Sequence, residues 1–98
     1  MPGIHISLHN DPDVLDPDTF QVACEDIFNE IYGRTPVDTG YCQNQWDIKF
    51  VGSNDCEIWN DCSYASYLED GHSKQAPRGM VQIVLDKFAD ISSDFSES

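Results

Sequence analysis

Two hydrophobic rhythms follow one another in this chain, and together they constrain its fold more than any other feature. Phe20, Ala23, Cys24, Ile27, Phe28, Ile31 and Tyr32 recur at the three- and four-residue spacing of one helical stripe. Gln21, Glu25, Asp26, Asn29 and Glu30 make the opposite side polar. From residue 41 the period drops to two. Cys42, Asn44, Trp46, Ile48 and Phe50 alternate with Tyr41, Gln43, Gln45, Asp47, Lys49 and Val51, the pattern of a strand with one face covered and one wet. A chain that changes period in this way is expected to be α+β.

The joint between the rhythms, Arg34-Thr-Pro-Val-Asp-Thr-Gly-Tyr41, reads as a rigid helix-to-strand corner. Gly33 suits a left-handed helix cap. Pro36 cannot resume the helix and biases Thr35 toward extended backbone. Asp38-Thr39-Gly40 has turn chemistry, with Val37 as an apolar plug. At the other end of the helix, Asp16 is placed to cap, Pro17 to take the first position and Asp18 to face the positive end of the dipole, which predicts a helix over 17–32. The acids of the preceding stretch, Asn10 to Asp18, lack the glycine and the terminal glutamate of a calcium-binding loop.

The remaining segments complete a small sheet and a second helix. "GSND" at 52–55 is a hairpin turn, and "CEIWND" returns from it. Cys56 and Ile58 face inward if the loop count is odd, and Trp59 does if it is even. A hairpin closing near residue 53 sets Cys42 opposite the neighbourhood of Tyr64, away from Cys56. Ile4, Ile6 and Leu8 alternate with His5, Ser7 and His9, so a short strand at 3–9 can join the sheet. Residues 63–71 suggest a turn or two of helix ended by Gly71. Pro77 opens a second long helix to about residue 91, with Met80, Val81, Val84, Phe88 and Ile91 in its stripe. The expected fold is an antiparallel sheet built on a hairpin at about 41–61 and packed against helices at about 17–32 and 77–91. Residues 1–91 form the domain, and 92–98 a flexible acidic tail in which Phe95 is a lone aromatic.

The 98 residues allow one small domain, of the size that buries about 60–65% of its unfolded surface. Five basic against 18 acidic residues give a formal charge of −13. That balance argues against a phosphate-binding groove and against an anionic membrane, and it fits solubility or a basic protein partner. The opening "MPGIHISLHNDPD" lacks the charged and apolar regions of a signal peptide, and no apolar run approaches spanning length, so the expected compartment is the cytosol.

Cys24, Cys42, Cys56 and Cys62 contain no CxxC pair and are expected to be free thiols holding no metal. His72 with Ser73, or with a cysteine and an aspartate, could be assembled into a catalytic set on paper. No spacing supports one, so no catalytic residue and no cofactor are expected.

One resemblance spans about residues 20–91. "TPVDTG" at 35–40, the Gln45-Trp46 pair in the following strand, "YASYLEDGH" at 64–72 and "APRGM" at the start of the last helix occur here in that order. This arrangement resembles the tail-completion and head–tail joining proteins of long-tailed bacteriophages. The residues that carry it are Thr35, Pro36, Val37, Asp38, Thr39, Gly40, Trp46, Tyr64, Ala65, Tyr67, Glu69, Gly71, His72 and Pro77. The resemblance implies a non-enzymatic virion protein, assembled in the host cytoplasm. It would form a ring of six or twelve subunits that terminates the tail or joins it to the head. Its partners would be copies of itself and neighbouring neck, connector or tail-tube proteins, with genomic DNA passing through the bore unbound. Acidity alone also fits a different class, an inhibitor or antitoxin-like protein that binds a basic partner. The acids here are scattered, with concentrations at 10–18 and 94–97, instead of forming the continuous array of a DNA mimic.

Overall fold

The computed structural model describes residues 3–35, 42–62, 65 and 80–97. Helix α1 runs Pro17–Arg34. It starts where Asp16 turns from extended backbone and accepts the Thr19 amide at 2.9 Å and the Thr19 hydroxyl at 2.8 Å. These bonds satisfy an amide the first turn leaves unpaired, and they hold the Asp16 carboxyl below its ordinary value. The helix is two residues longer than the sequence predicts. Gly33 is not a left-handed cap, since the two glycines at positive φ among the described residues are Gly3 and Gly52. Thr35 ends the helix with φ −72° and ψ 128°, the extended conformation that a following proline imposes.

Strands β1 (Ile4–His9), β2 (Trp46–Phe50), β3 (Asp55–Asn60) and β4 (Ser92–Glu97) form one antiparallel sheet in the order β2-β3-β1-β4. The α+β class with an antiparallel sheet is therefore the observed one. The hairpin register follows the odd loop count. Phe50 faces Cys56, Ile48 faces Ile58 and Trp46 faces Asn60. Val51 donates to the Asp55 carbonyl at 2.9 Å, and Gly52 takes φ +75° in the turn. Cys56, Ile58 and Asn60 thus point inward and are buried, while Trp59 is half-buried on the other face.

Three expectations are corrected. The alternation from Cys42 does not make a strand over its whole length. Residues Gln43–Gln45 wind into a 3₁₀ turn, Cys42 takes helical backbone, and Asn44 is exposed instead of inward. The C-terminal stripe is buried at Met80, Val81, Val84, Leu85 and Ile91 but does not form one long helix. Its described part is a single turn α2 (Gln82–Leu85) followed by a 3₁₀ turn at Asp86–Phe88. The acidic tail is a strand. Its backbone pairs with β1 from Ser92 opposite His9 to Glu97 opposite Ile4, so the domain extends to residue 97. The short N-terminal strand is accordingly a central strand, paired on both sides. The short helix expected at 63–71, apart from Ala65, and the Pro77 start lie outside the described residues.

The inward residues of the strands meet Phe20, Cys24, Ile27 and Ile31 of α1 in one cluster. Leu8, Cys56, Ile58, Ala65, Met80 and Val84 belong to it as well, all but fully buried. Lys87 ties the C-terminal turns to α1 through Glu30 at 3.1 Å, an exposed pair of small energetic weight. Gly3, at φ +145°, runs so close to the Asn60 carbonyl that a Cβ would collide with backbone.

Candidate functional site

The corner singled out by the sequence is pinned at both ends. The Trp46 indole Nε1 donates to the Thr35 hydroxyl at 2.7 Å, and that hydroxyl donates to the Ile31 carbonyl at 2.8 Å. The Thr35 amide reaches the Ile31 and Tyr32 carbonyls at 3.1 and 3.2 Å. Thr35 and Trp46 are both buried. An unpaired indole N–H in that position would carry a full desolvation cost, so the bond fixes where the indole sits. Two residues eleven apart in sequence, read separately as the start of a corner and the start of a strand face, are joined by one buried bond.

The segment between the corner and β2 also docks on the end of α1. Gln43 Nε2 donates to the Tyr32 carbonyl at 3.0 Å, satisfying an acceptor the last turn leaves open. The Tyr32 hydroxyl donates to Asn44 at 3.3 Å, and its ring stacks on Phe28 with centroids 6.4 Å apart.

Asn60 is the buried polar residue that sequence reasoning passed over. Its Nδ2 donates to the Cys42 carbonyl at 2.8 Å, and its Oδ1 accepts the Cys62 amide at 2.8 Å. The side chain clasps the entry to β2 against the exit from β3. The signal was present in the alternation: Cys56 and Ile58 facing inward put residue 60 inward too.

Ala65 lies in the core cluster. Pro36, Val37, Asp38, Thr39, Gly40, Tyr64, Tyr67, Glu69, Gly71, His72 and Pro77 lie outside the described residues.

The four cysteines all lie in the one core cluster. All four are buried free thiols. The neighbouring Cys56 side chain, and then burial, push the Cys24 thiol up, while the Cys24 side chain draws the Cys56 thiol down. Burial, and then the neighbouring Cys62 side chain, push the Cys42 thiol up. Among the described residues no group of three or more His, Cys, Asp or Glu is placed to hold a metal ion.

The face of the sheet away from the cluster is charged. His5 meets Glu57 at 3.1 Å, and His9 meets Asp55 directly across the β1–β3 pair. Asp47, Lys49 and Asp94 lie exposed on the same face. No described helix is long and apolar enough to cross a membrane. In comparison with known proteins, no family model matches this chain, and neither a curated protein nor a solved structure matches it.

Proposed function

We propose that this chain is a structural protein of a bacteriophage neck, one subunit of a ring that completes the tail or joins it to the head. The observation that carries this reading is the buried bond between Thr35 and Trp46. These residues belong to the two motifs, "TPVDTG" and Gln45-Trp46, that resemble the tail-completion family. The bond makes them one mechanical unit, with the ends of the intervening segment held at the C-terminal end of α1. A corner built from capping and clasping bonds serves to present a loop in a fixed direction, as a subunit contact requires. The charge supports the same reading. An acidic chain lining a bore repels the phosphates of passing DNA, and the sheet's outer face carries that character in Asp47, Asp55, Glu57 and Asp94.

Native mass measurement tests the proposal. A closed ring of six or twelve subunits, and the same protein retained in purified virions, are the expected results. A monomer that captures a basic protein and is missing from virions would replace this reading with that of an acidic inhibitor. A Gly40→Val substitution sharpens the test, since a branched side chain disfavours the turn that the sequence Asp38-Thr39-Gly40 leads one to expect. Electron microscopy of the mutant lysate should then show filled heads beside unjoined or overlong tails. Fully joined particles from a stable variant would count against the neck role.

A further inference from the structure

We propose that copies of this chain join edge to edge, the β2 edge of one pairing antiparallel with the β4 edge of the next, with Ile48 opposite Phe95 and Lys49 opposite Asp94. In the order β2-β3-β1-β4 every neighbouring pair is antiparallel, so the two edges, β2 and β4, run in opposite directions. Among the described residues neither edge has a second partner strand. A second copy set beside the first in the same orientation therefore meets β4 with an antiparallel β2, and the buried faces of both sheets stay on one side. The hydrogen-bonding phases match. The Val51 amide reaches the Asp55 carbonyl at 2.9 Å, so by alternation Asp47 and Lys49 bond β3, while Ile48 and Phe50 turn their backbone groups to the free edge. The Asn10 amide reaches the Asn54 carbonyl at 2.8 Å, so Ile6 and Leu8 bond β3, and Ser7 and His9 bond β4 through Asp94 and Ser92. Ser93 and Phe95 then turn their backbone groups away from β1.

The side chains select the register. One inward row crosses the sheet as Ile48, Ile58, Ile6 and Phe95. Its middle members, Ile58 and Ile6, are fully buried, while its two ends are only half-buried. The neighbouring outward row is Lys49, Glu57, Ser7 and Asp94. Setting the next copy's Ile48 against Phe95 continues the first row and brings its Lys49 beside Asp94. A slip of two residues one way sets Asp47 against Asp94, and a slip the other way leaves Lys49 opposite Ser96. The Trp46 amide is already taken by the Gln43 carbonyl, so the new ladder spans Ile48 and Phe50 against Phe95 and Ser93. In the free subunit the Asp47 carboxylate holds the Ile48 amide at 2.8 Å, an exposed local bond that the Phe95 carbonyl replaces. The contact is heterologous, the kind from which rings are built, and it rests on the ring reading for what it assembles. It also covers two edges that would otherwise stay open to stray pairing.

The experiment is native mass measurement on full-length variants, with circular dichroism to establish that each is folded. Lys49→Glu should shift the protein from ring to monomer at a concentration where wild type is assembled, and adding Asp94→Lys should restore the ring. Within one subunit these positions stand three strands apart, about 14 Å at the spacing of paired strands, so only a contact between subunits produces that rescue. Lys49 also lies opposite Glu57, and should the charge swap unfold the chain, Ser93→Pro decides. It removes an amide turned away from β1, so the β1–β4 ladder should survive while the ring is lost. A folded Lys49→Glu or Ser93→Pro variant that still forms the wild-type ring would overturn the edge contact and leave the ring reading standing. Rescue of Lys49→Glu by Asp47→Lys instead of Asp94→Lys would overturn it too, by showing two β2 edges paired around a two-fold axis. Wild-type protein that stays monomeric would overturn both the contact and the ring.

Discussion

Strand β1 has two neighbours of opposite character. On one side β3 presents Cys56, Ile58 and Asn60 inward, all buried, and pairs its outward acids with His5 and His9. On the other side β4, "SSDFSE", packs Phe95 against the cluster, half-buried, while Ser92, Ser93, Asp94 and Ser96 are exposed. Both pairs make the same six-residue antiparallel register with β1. The difference shows how little side-chain burial an outer strand needs once a neighbour offers an open row of amides and carbonyls. The stability of the two sides should differ accordingly, with β4 opening before the hairpin does.

The largest expected effect is on the hairpin side. Trp46→Ala removes a buried ring and strands the Thr35 hydroxyl of its indole partner, and should cost about 3–5 kcal/mol. Chemical denaturation measures it. A midpoint near wild type would mean that the Trp46–Thr35 bond holds nothing the rest of the core does not, and the contrast between the two sides would lose its basis.

The same contrast explains what the sequence shows and what it hides. The stripe of α1 and the inward positions of β3 are legible because burial imposes a period, and the odd loop count then selects Cys56 and Ile58 over Trp59. β4 is hidden because its partner is a backbone edge, which leaves no periodic mark on a serine-rich segment. The long helix expected at 77–91 fails for a related reason. A run that is apolar on several sides marks burial without fixing the backbone, and its described part takes one α turn and one 3₁₀ turn. At the candidate corner, Thr35 and Trp46 each stand out by type and position. The bond between them depends on the path of the chain around the corner, which no local pattern encodes.

Phe95→Ala tests the weaker side. The ring is half-buried, so its loss should cost about 1–2 kcal/mol, less than a full core aromatic. Hydrogen exchange should show protection lost across 92–97 while 55–60 stays protected. Equal loss in both strands would show that β4 and the hairpin open as one unit and would break the comparison.

A smaller effect, of opposite sign, is expected on α1. Gly33 lies inside the helix, and a Cβ there would meet nothing within 4 Å. Gly33→Ala should therefore stabilise by about 0.5–1 kcal/mol, through a less flexible unfolded chain and better helix propensity. The gain should appear in the global transition and leave β4 exchange unchanged if that strand opens locally. A destabilised variant would mean that the final turn of α1 needs glycine for a reason other than backbone geometry.

The smallest effect comes from the other end of α1 and depends on pH. Bonds from the Thr19 amide and then the Thr19 hydroxyl hold the Asp16 carboxyl below its ordinary value of 3.8. A carboxyl lowered in the folded state contributes its stability fully above the unfolded value. That contribution is lost as the pH falls through the lower folded value. Asp16→Asn keeps an oxygen that can accept the Thr19 amide but carries no charge, so it separates the cap from its titration. Near neutral pH the variant should lie close to wild type, slightly weakened by the loss of an anion at the positive end of the helix. Below about pH 4 the two should converge, because wild type loses through protonation what the variant never had. Denaturation midpoints from pH 7 down to pH 3 follow the difference directly. A gap that widens as the pH falls would reverse the sign and place the acid sensitivity of this side of the molecule elsewhere than at its helix cap.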